Sequence, residues 1–179
     1  VLSVDAAATH LYDAATGTYR VAGERLAPDE LLDYYVDLCE RYPLESIEDP
    51  FHEDDFERTA ALTAAADAQI VGDDLFVTNE ARVREGTAAG AGSALLLKVN
   101  QAGTLSEALD AASAAREAGF RIQVSERSGQ TPDTWLADLA VCLDAGQIKT
   151  GVTRGERTEQ YNRLLEIESE LDDPAVGRW

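Results

Sequence analysis

Residues 94–101 read ALLLKVNQ: an uninterrupted apolar run that stops on a lysine. A short run with no polar alternation, bounded by polar residues and helical patterns, is the mark of a strand buried on both faces, as in parallel β/α architecture. The lysine is as informative as the run. Lys98 is one of only two lysines in 179 residues; the other, Lys149, closes a second strand-like segment, QIKTG, and every remaining basic residue is arginine. Arginine stays protonated at any working pH, whereas a lysine can give up its proton in suitable surroundings. Two lysines kept at strand ends therefore point to work that needs an amine.

Outward from this stretch, strand and helix patterns alternate. Strands are expected at residues 1–6, 44–50, 69–75, 94–100, 121–127 and 147–151. Helices are expected at 28–42, 53–67, 79–89, 104–118, 131–145 and 156–171. Pro28 suits a first helical turn, acids follow it, and Arg41 lies in the last turn, matching the macrodipole. Thr104 is placed to cap its helix, with Glu107 in the capping-box position. Residues 11–21 read as a hairpin around Thr16-Gly17. This is one domain, residues 1–179, of six consecutive βα units. It is either an open doubly wound sheet or part of a (β/α)8 barrel. Asp5, Glu48, Asp49, Asp73, Asp74, Lys98, Glu126, Arg127 and Lys149 fall at strand carboxyl ends all along the series, which is where a barrel builds its site; a doubly wound sheet gathers ligands at one switch point. The fold class expected is α/β, a partial TIM (β/α) barrel.

The composition excludes several partners. Thirty-four acids against 15 basic residues give a formal charge of −19, which argues against nucleic acid and anionic membrane and for a strongly solvated acidic surface. No run reaches membrane-spanning length and no leader is visible, so a cytoplasmic location is expected. The opening VLSVDAA reads as the inside of a strand, and no methionine is present, so the chain is expected to be a piece of a longer protein. Cys39 and Cys142 lack metal-ligand spacing and are expected to be buried thiols. His10 and His52 have no partner at ligand spacing. Gly86, Gly90 and Gly92 follow no nucleotide fingerprint and read as helix termination and close packing.

Three strand ends in succession carry Asp5, Glu48 and Asp73. Converging carboxylates repel unless a cation lies between them, and oxygen-only ligands suit a hard ion such as Mg2+. Each acid could instead cap a helix or stay solvated; Asp49 and Asp74, on the opposite face by period two, are the better candidates for such supporting roles. Lys98 and Lys149 would face this cluster, where a metal ion and a second ammonium together would leave one amine able to act as a base. The alternative for both is a salt bridge to the same carboxylates. The segment SERSGQT, residues 125–131, offers Arg127 and several donors suited to a phosphate.

The segments SIEDP, GDDLFVTN, LLLKVNQAGT, VSERSG, GQIKTG and RGERTEQYNRLLEIESEL, collinear along nearly the whole chain, resemble the carboxy-terminal part of the enolase family. The resemblance implies an enolase-type barrel represented by its six regular βα units, without the first barrel strands and the amino-terminal domain. It implies a lyase, the hydratase that interconverts 2-phosphoglycerate and phosphoenolpyruvate in glycolysis, with Mg2+ and at least a homodimeric assembly. Site residues implied by it are Asp5, Glu48 and Asp73 for the metal, Lys98 as the base at C2, Lys149 for the substrate carboxylate, and Ser125, Glu126, Arg127 and Ser128 around the phosphate, with Glu48 and Asp73 also near substrate. A lysine base beside magnesium and an ene-diolate is established chemistry of that superfamily.

Two departures qualify what is implied. Where the family has histidine in VSHRSG, this chain has Glu126, whose negative charge should repel a phosphorylated substrate unless it is protonated or turned away. The general acid that helps expel the C3 hydroxyl is expected outside this chain, so the chain alone should be incomplete for catalysis. An enolase-like pseudoenzyme or magnesium-binding protein without turnover is the competing expectation; a dehydratase of another hydroxy acid suits SIEDP and LLLKVNQ less well.

Overall fold

The computed structural model describes residues 1–152 and 154–175. In chain order it comprises β1 (Leu2–Asp5), a 3-10 turn (Ala8–Leu11), β2 (Tyr12–Asp13), β3 (Thr18–Val21), β4 (Glu24–Leu26), α1 (Pro28–Arg41), β5 (Leu44–Glu48), α2 (Phe56–Ala65), β6 (Gln69–Gly72), α3 (Glu80–Ala89), β7 (Ala94–Leu97), α4 (Val99–Ala102), α5 (Leu105–Glu117), β8 (Arg121–Ser125), α6 (Trp135–Cys142), β9 (Gly146–Lys149) and α7 (Gly155–Glu170). Six strands pair in parallel in the order β1-β5-β6-β7-β8-β9. Helices separate them, and the sheet curls into a half-barrel. The small antiparallel sheet β2-β3-β4 is inserted between β1 and α1.

Strand parity decides what each face does. On β7, Leu95 and Leu97 belong to the larger core, shared with Ala108, Ala111 and Ala115 of α5 and with Leu136 and Leu139 of α6. Ala94 and Leu96 instead meet Val71 of β6 in a separate small cluster on the other, concave face. Continuing that parity by one step places Lys98 on the concave side. The same count puts Asp5, Glu48, Ser125 and Lys149 there, and the register agrees, with Asp5 opposite Glu48 and Ser125 opposite Lys149. Deeper in the concavity, the amides of Gln69 on β6 and Gln147 on β9 exchange hydrogen bonds of 3.0 and 3.1 Å across the curl. Outside β5, a second core joins Ile47, Leu31, Tyr35, Phe51 and Leu62 to Tyr19 of the inserted sheet.

Several expectations need correction at their edges. The strand through Lys98 ends at Leu97, because residues 99–102 turn into the short helix α4. The expected hairpin acquires a third strand, β4. Thr104 does cap α5 by accepting from the Glu107 N–H, but the Glu107 carboxylate accepts its hydrogen bond from the Thr104 hydroxyl, not from the Thr104 backbone N–H as in a full box. Cys142 is exposed and Cys39 only half-buried, so neither is the deeply buried thiol expected. Among the described residues no helix is long and apolar enough to cross a membrane.

The glycine reading holds in physical detail. Gly90 ends α3 in the left-handed region at φ 74°. Gly86 and Gly92 leave room for the fully buried ring of Phe76. A Cβ on Gly86 would lie 2.5 Å from Phe76 Cε1 and 3.2 Å from the Ala91 carbonyl oxygen. Replacing a helix-interior glycine with alanine ordinarily gains about 0.5–1 kcal/mol. Gly86→Ala is expected to reverse that sign and cost about 1–3 kcal/mol through overpacking. Urea unfolding measures it, and a variant as stable as the parent would contradict the packing described.

Candidate active site at the strand ends

The half-barrel concentrates its ionisable residues at one rim. Lys149, at the end of β9, donates to Asp5 Oδ2 on β1 at 2.8 Å and to both oxygens of Glu48 on β5, at 2.8 and 2.7 Å. One ammonium thus ties together the two edge strands of the sheet and a strand between them. Lys98, at the end of β7, pairs with Asp73 Oδ2 just beyond β6. Both lysines thus make, in this structure, the salt bridges to the rim carboxylates that stood as the alternative to a free amine.

Asp49 explains how Asp73 is held. Its φ of 44° breaks β5 after Glu48, and its carboxylate turns to accept the backbone N–H groups of Asp73 and Leu75 on Oδ1, at 2.9 and 3.4 Å, and of Asp74 on Oδ2, at 2.8 Å. The loop bearing Asp73 hangs on this one side chain. Two further left-handed residues, Val77 and Thr78, lie in the same loop at φ 43° and 50°. A β-branched residue in this region is strained, and such strain persists only where the surroundings hold it. Here Thr78 Oγ1 donates to Gln101 Oε1 at 2.7 Å and accepts the Lys98 backbone N–H at 2.9 Å. Gln101 Nε2 in turn donates to Asp73 Oδ1 at 2.7 Å. Thr78 and Gln101 thereby fix the Asp73 and Lys98 pair from behind, and the sequence reading did not single them out. The available signal was a polar residue shortly beyond each apolar strand, six residues past β6 in VTN and four past β7 in VNQ.

Electrostatically the rim holds more negative charge than its lysines offset. Burial, reinforced by the nearby charges of Asp5 and Asp73, pushes Glu48 up to about 7 despite Lys149. Burial likewise pushes Asp49 up to about 7, against the two backbone N–H groups that favour its ionised form. Burial works to lower Lys149, but its hydrogen bonds to Asp5 and Glu48 outweigh that, and its pKa is raised. Among the described residues, the one group of three or more acids whose oxygens all lie within 4.8 Å of one another is Glu48, Asp49 and Asp73, and Asp5, expected as a metal ligand, lies outside it. Asp5 is connected to Glu48 by their shared Lys149 ammonium. The Asp49 oxygens are taken up by backbone donors, whereas those of Glu48 meet the Lys149 ammonium and those of Asp73 meet Lys98 and Gln101, so in this trio only Glu48 and Asp73 are held by side chains that a cation could displace.

The residues at and beyond the end of β8 divide. Ser125 is buried and donates to the Glu126 carbonyl at 3.0 Å. Arg127 and Ser128 are exposed, and Arg127 Nη1 donates to Asn100 Oδ1 at 3.0 Å, which brings the β8 loop beside α4 and Lys98. Glu126 is buried and points at Arg157 of α7.

Known proteins carry the same arrangement of segments. The family described as "Enolase, C-terminal TIM barrel domain" matches residues 1–178. The enolase of Methanocaldococcus jannaschii is 58% identical over 172 residues, covering 96% of this chain and 40% of the relative. Those of Methanopyrus kandleri and Pyrococcus furiosus are 54% and 53% identical, over 95% and 98% of this chain and 40% and 41% of theirs. The chain thus spans about two-fifths of the length of these relatives. With a match over nearly its whole length to the half-barrel seen here, this chain belongs to the enolase family, within its C-terminal TIM barrel domain.

Proposed function

We propose that the natural protein is a magnesium-dependent hydro-lyase interconverting 2-phosphoglycerate and phosphoenolpyruvate, and that this chain carries the metal-binding and basic half of its site. The observation that supports this most directly is that the chain's two lysines both stand at the strand-end rim, each against carboxylates from other strands. Mg2+ would be held by Asp5, Glu48 and Asp73. The donor set fits a hard cation: it is all oxygen, and Glu48, pushed up to about 7 by burial and further by the charges of Asp5 and Asp73, is a carboxylate whose ionised form a divalent ion would favour. When bound, the ion supplies stabilisation of negative charge on the substrate carboxylate during proton removal.

The remaining roles belong to this chain's own side chains. Lys98, oriented by Asp73 and by the Thr78 and Gln101 network, removes the proton at C2. Lys149 exchanges part of its contact with Glu48 and Asp5 for the substrate carboxylate. Arg127 and Ser128, on the exposed loop after β8 and braced by Asn100, take the phosphate. The group that protonates the departing hydroxyl is supplied from elsewhere in the natural protein. The competing reading, magnesium binding without turnover, rests on Glu126, and the burial of Glu126 against Arg157 weakens it.

Phosphoenolpyruvate formation from 2-phosphoglycerate, followed by its absorbance with and without Mg2+, tests the activity in the full natural chain. Lys98→Ala is expected to lower kcat by about 10²- to 10⁴-fold, the usual contribution of a positioned base. A variant as fast as the parent would remove Lys98 from that role.

Metal and pH are linked through Glu48. Its pKa is raised from 4.5 to about 7 on folding, so between those values the folded protein holds a proton that the unfolded chain releases. The favourable contribution is therefore complete at low pH and is lost as pH rises through about 7. Without metal, stability from this group should fall from pH 5 to pH 8, and Glu48→Gln should flatten that slope in thermal melts. Magnesium at about 100 times its dissociation constant is expected to add about 2.7 kcal/mol at pH 8, and less at pH 5 where protons compete for Glu48. Equal stabilisation at both pH values would exclude Glu48 as a ligand.

A further inference from the structure

Glu126 stands where the family resemblance places histidine beside the phosphate, yet it is not directed at open solvent. Its side chain is 7% exposed and is paired with the Arg157 guanidinium, itself 18% exposed, from the first turn of α7. Thr150 Oγ1 donates to Glu126 Oε2 at 3.3 Å, and Arg157 Nη1 donates to the Thr150 carbonyl at 3.3 Å. The main chain repeats the connection, since the Glu126 N–H donates to the Lys149 carbonyl at 3.0 Å. Gly151 completes the corner. Its φ is +76°, and a Cβ there would meet Arg157 Cδ at 2.8 Å and Glu126 Oε1 at 3.3 Å. The Tyr161 hydroxyl of α7 donates to the Gly151 carbonyl. Lys149, Thr150 and Gly151 are therefore each tied to Glu126, to α7, or to both.

We propose that Glu126 and Arg157 act as one positioning unit, which fixes the Lys149–Thr150–Gly151 corner and keeps the Glu126 charge out of the substrate's field. Resting on the hydratase reading above, this makes Glu126 a positioning residue rather than a phosphate ligand. The physical reason is charge accounting at short range. A lone carboxylate beside a phosphate would oppose binding, whereas one matched by a guanidinium presents no net charge beyond its own contact. The cost is codependence, because removing one partner leaves the other buried and unmatched.

A double-mutant cycle in the full natural chain tests the pair, with KM and kcat for 2-phosphoglycerate and the melting temperature as readouts. Arg157→Met is expected to raise KM about tenfold while kcat stays within about twofold, as the unmatched Glu126 opposes the anionic substrate. Adding Glu126→Gln to Arg157→Met is expected to bring KM back to within about threefold of the parent and to recover at least half of the lost melting temperature. An unchanged KM in Arg157→Met, or losses in the double variant equal to the sum of the single ones, would overturn the proposal. If Arg157→Met does not fold, Arg157→Lys carries the same comparison, with KM raised about threefold and the rise removed by Glu126→Gln. A parent chain with no turnover would sink the hydratase reading alone, because the melting-temperature cycle still decides whether the two residues are coupled.

Discussion

The contact of Lys149 with Asp5 and Glu48 governs the rim of this half-barrel. β1 and β9 are the edge strands of the sheet, and a single ammonium reaches from one to the other while also holding β5. At a separation of about 4 Å and an effective dielectric near 20, an ion pair is worth about 4 kcal/mol, and two carboxylates at the same distance repel by as much. Solvent at Lys149, whose side chain is 37% exposed, screens part of this. The sign is unaffected. Without a cation at that point, Asp5 and Glu48 would drive their strand ends apart. The curl that brings Gln147 to Gln69 and the charge balance of the site are therefore parts of one constraint.

That constraint also accounts for the irregular backbone after the strands. Parallel strands deliver side chains alternately to the two faces, so a strand that simply continued would send successive acids to opposite sides. At β5 the chain breaks at Asp49, in a left-handed conformation, immediately after Glu48. Glu48 stays on the concave face, while the Asp49 carboxylate is freed to collect the N–H groups of residues 73–75. The pair ED in SIEDP thus divides its labour by geometry. The first carboxylate meets the cation, and the second builds the loop that delivers Asp73. Strain at Val77 and Thr78 is tolerated for the same purpose, because those residues aim the Thr78 hydroxyl at Gln101 and the Lys98 backbone.

Much of this was legible in the sequence because two signals are independent of tertiary detail. Apolar runs between helical patterns give the parallel architecture, and the scarcity of lysine marks Lys98 and Lys149 without reference to any contact. Asp5, Glu48 and Asp73 could be aligned with them because period two is rigid within a strand. What the sequence hid lies just beyond strand ends, where periodicity stops. All six expected strands ran past their true ends, at Asp5, Glu48, Gly72, Leu97, Ser125 and Lys149, since the left-handed residues, loops and short helix that follow carry no apolar pattern. Thr78, Gln101 and Asn100 fall in those transitions. Arg157 was hidden for another reason: its role depends on Glu126 31 positions earlier, and only the packing of α7 against the β8 loop brings them together.

The acidic surface and the cationic groups of the rim act at different ranges. With a formal charge of −19, the chain as a whole repels polyanions. Attraction has to come from Lys149, Lys98 and Arg127 within contact distance. Salt separates the two effects, since the Debye length falls from about 8 Å at 0.15 M to about 3 Å at 1 M. Concentrated salt therefore removes the long-range repulsion first and leaves partly buried pairs at the rim least changed. In that setting a charge inside the pocket counts for more than many on the surface, and matching Glu126 with Arg157 matters for that reason. Among the acids at the rim, Asp5, Glu48, Asp73, Glu126 and Asp49 are each held by a lysine, an arginine or a set of backbone donors, so the charges nearest the cationic groups are matched locally.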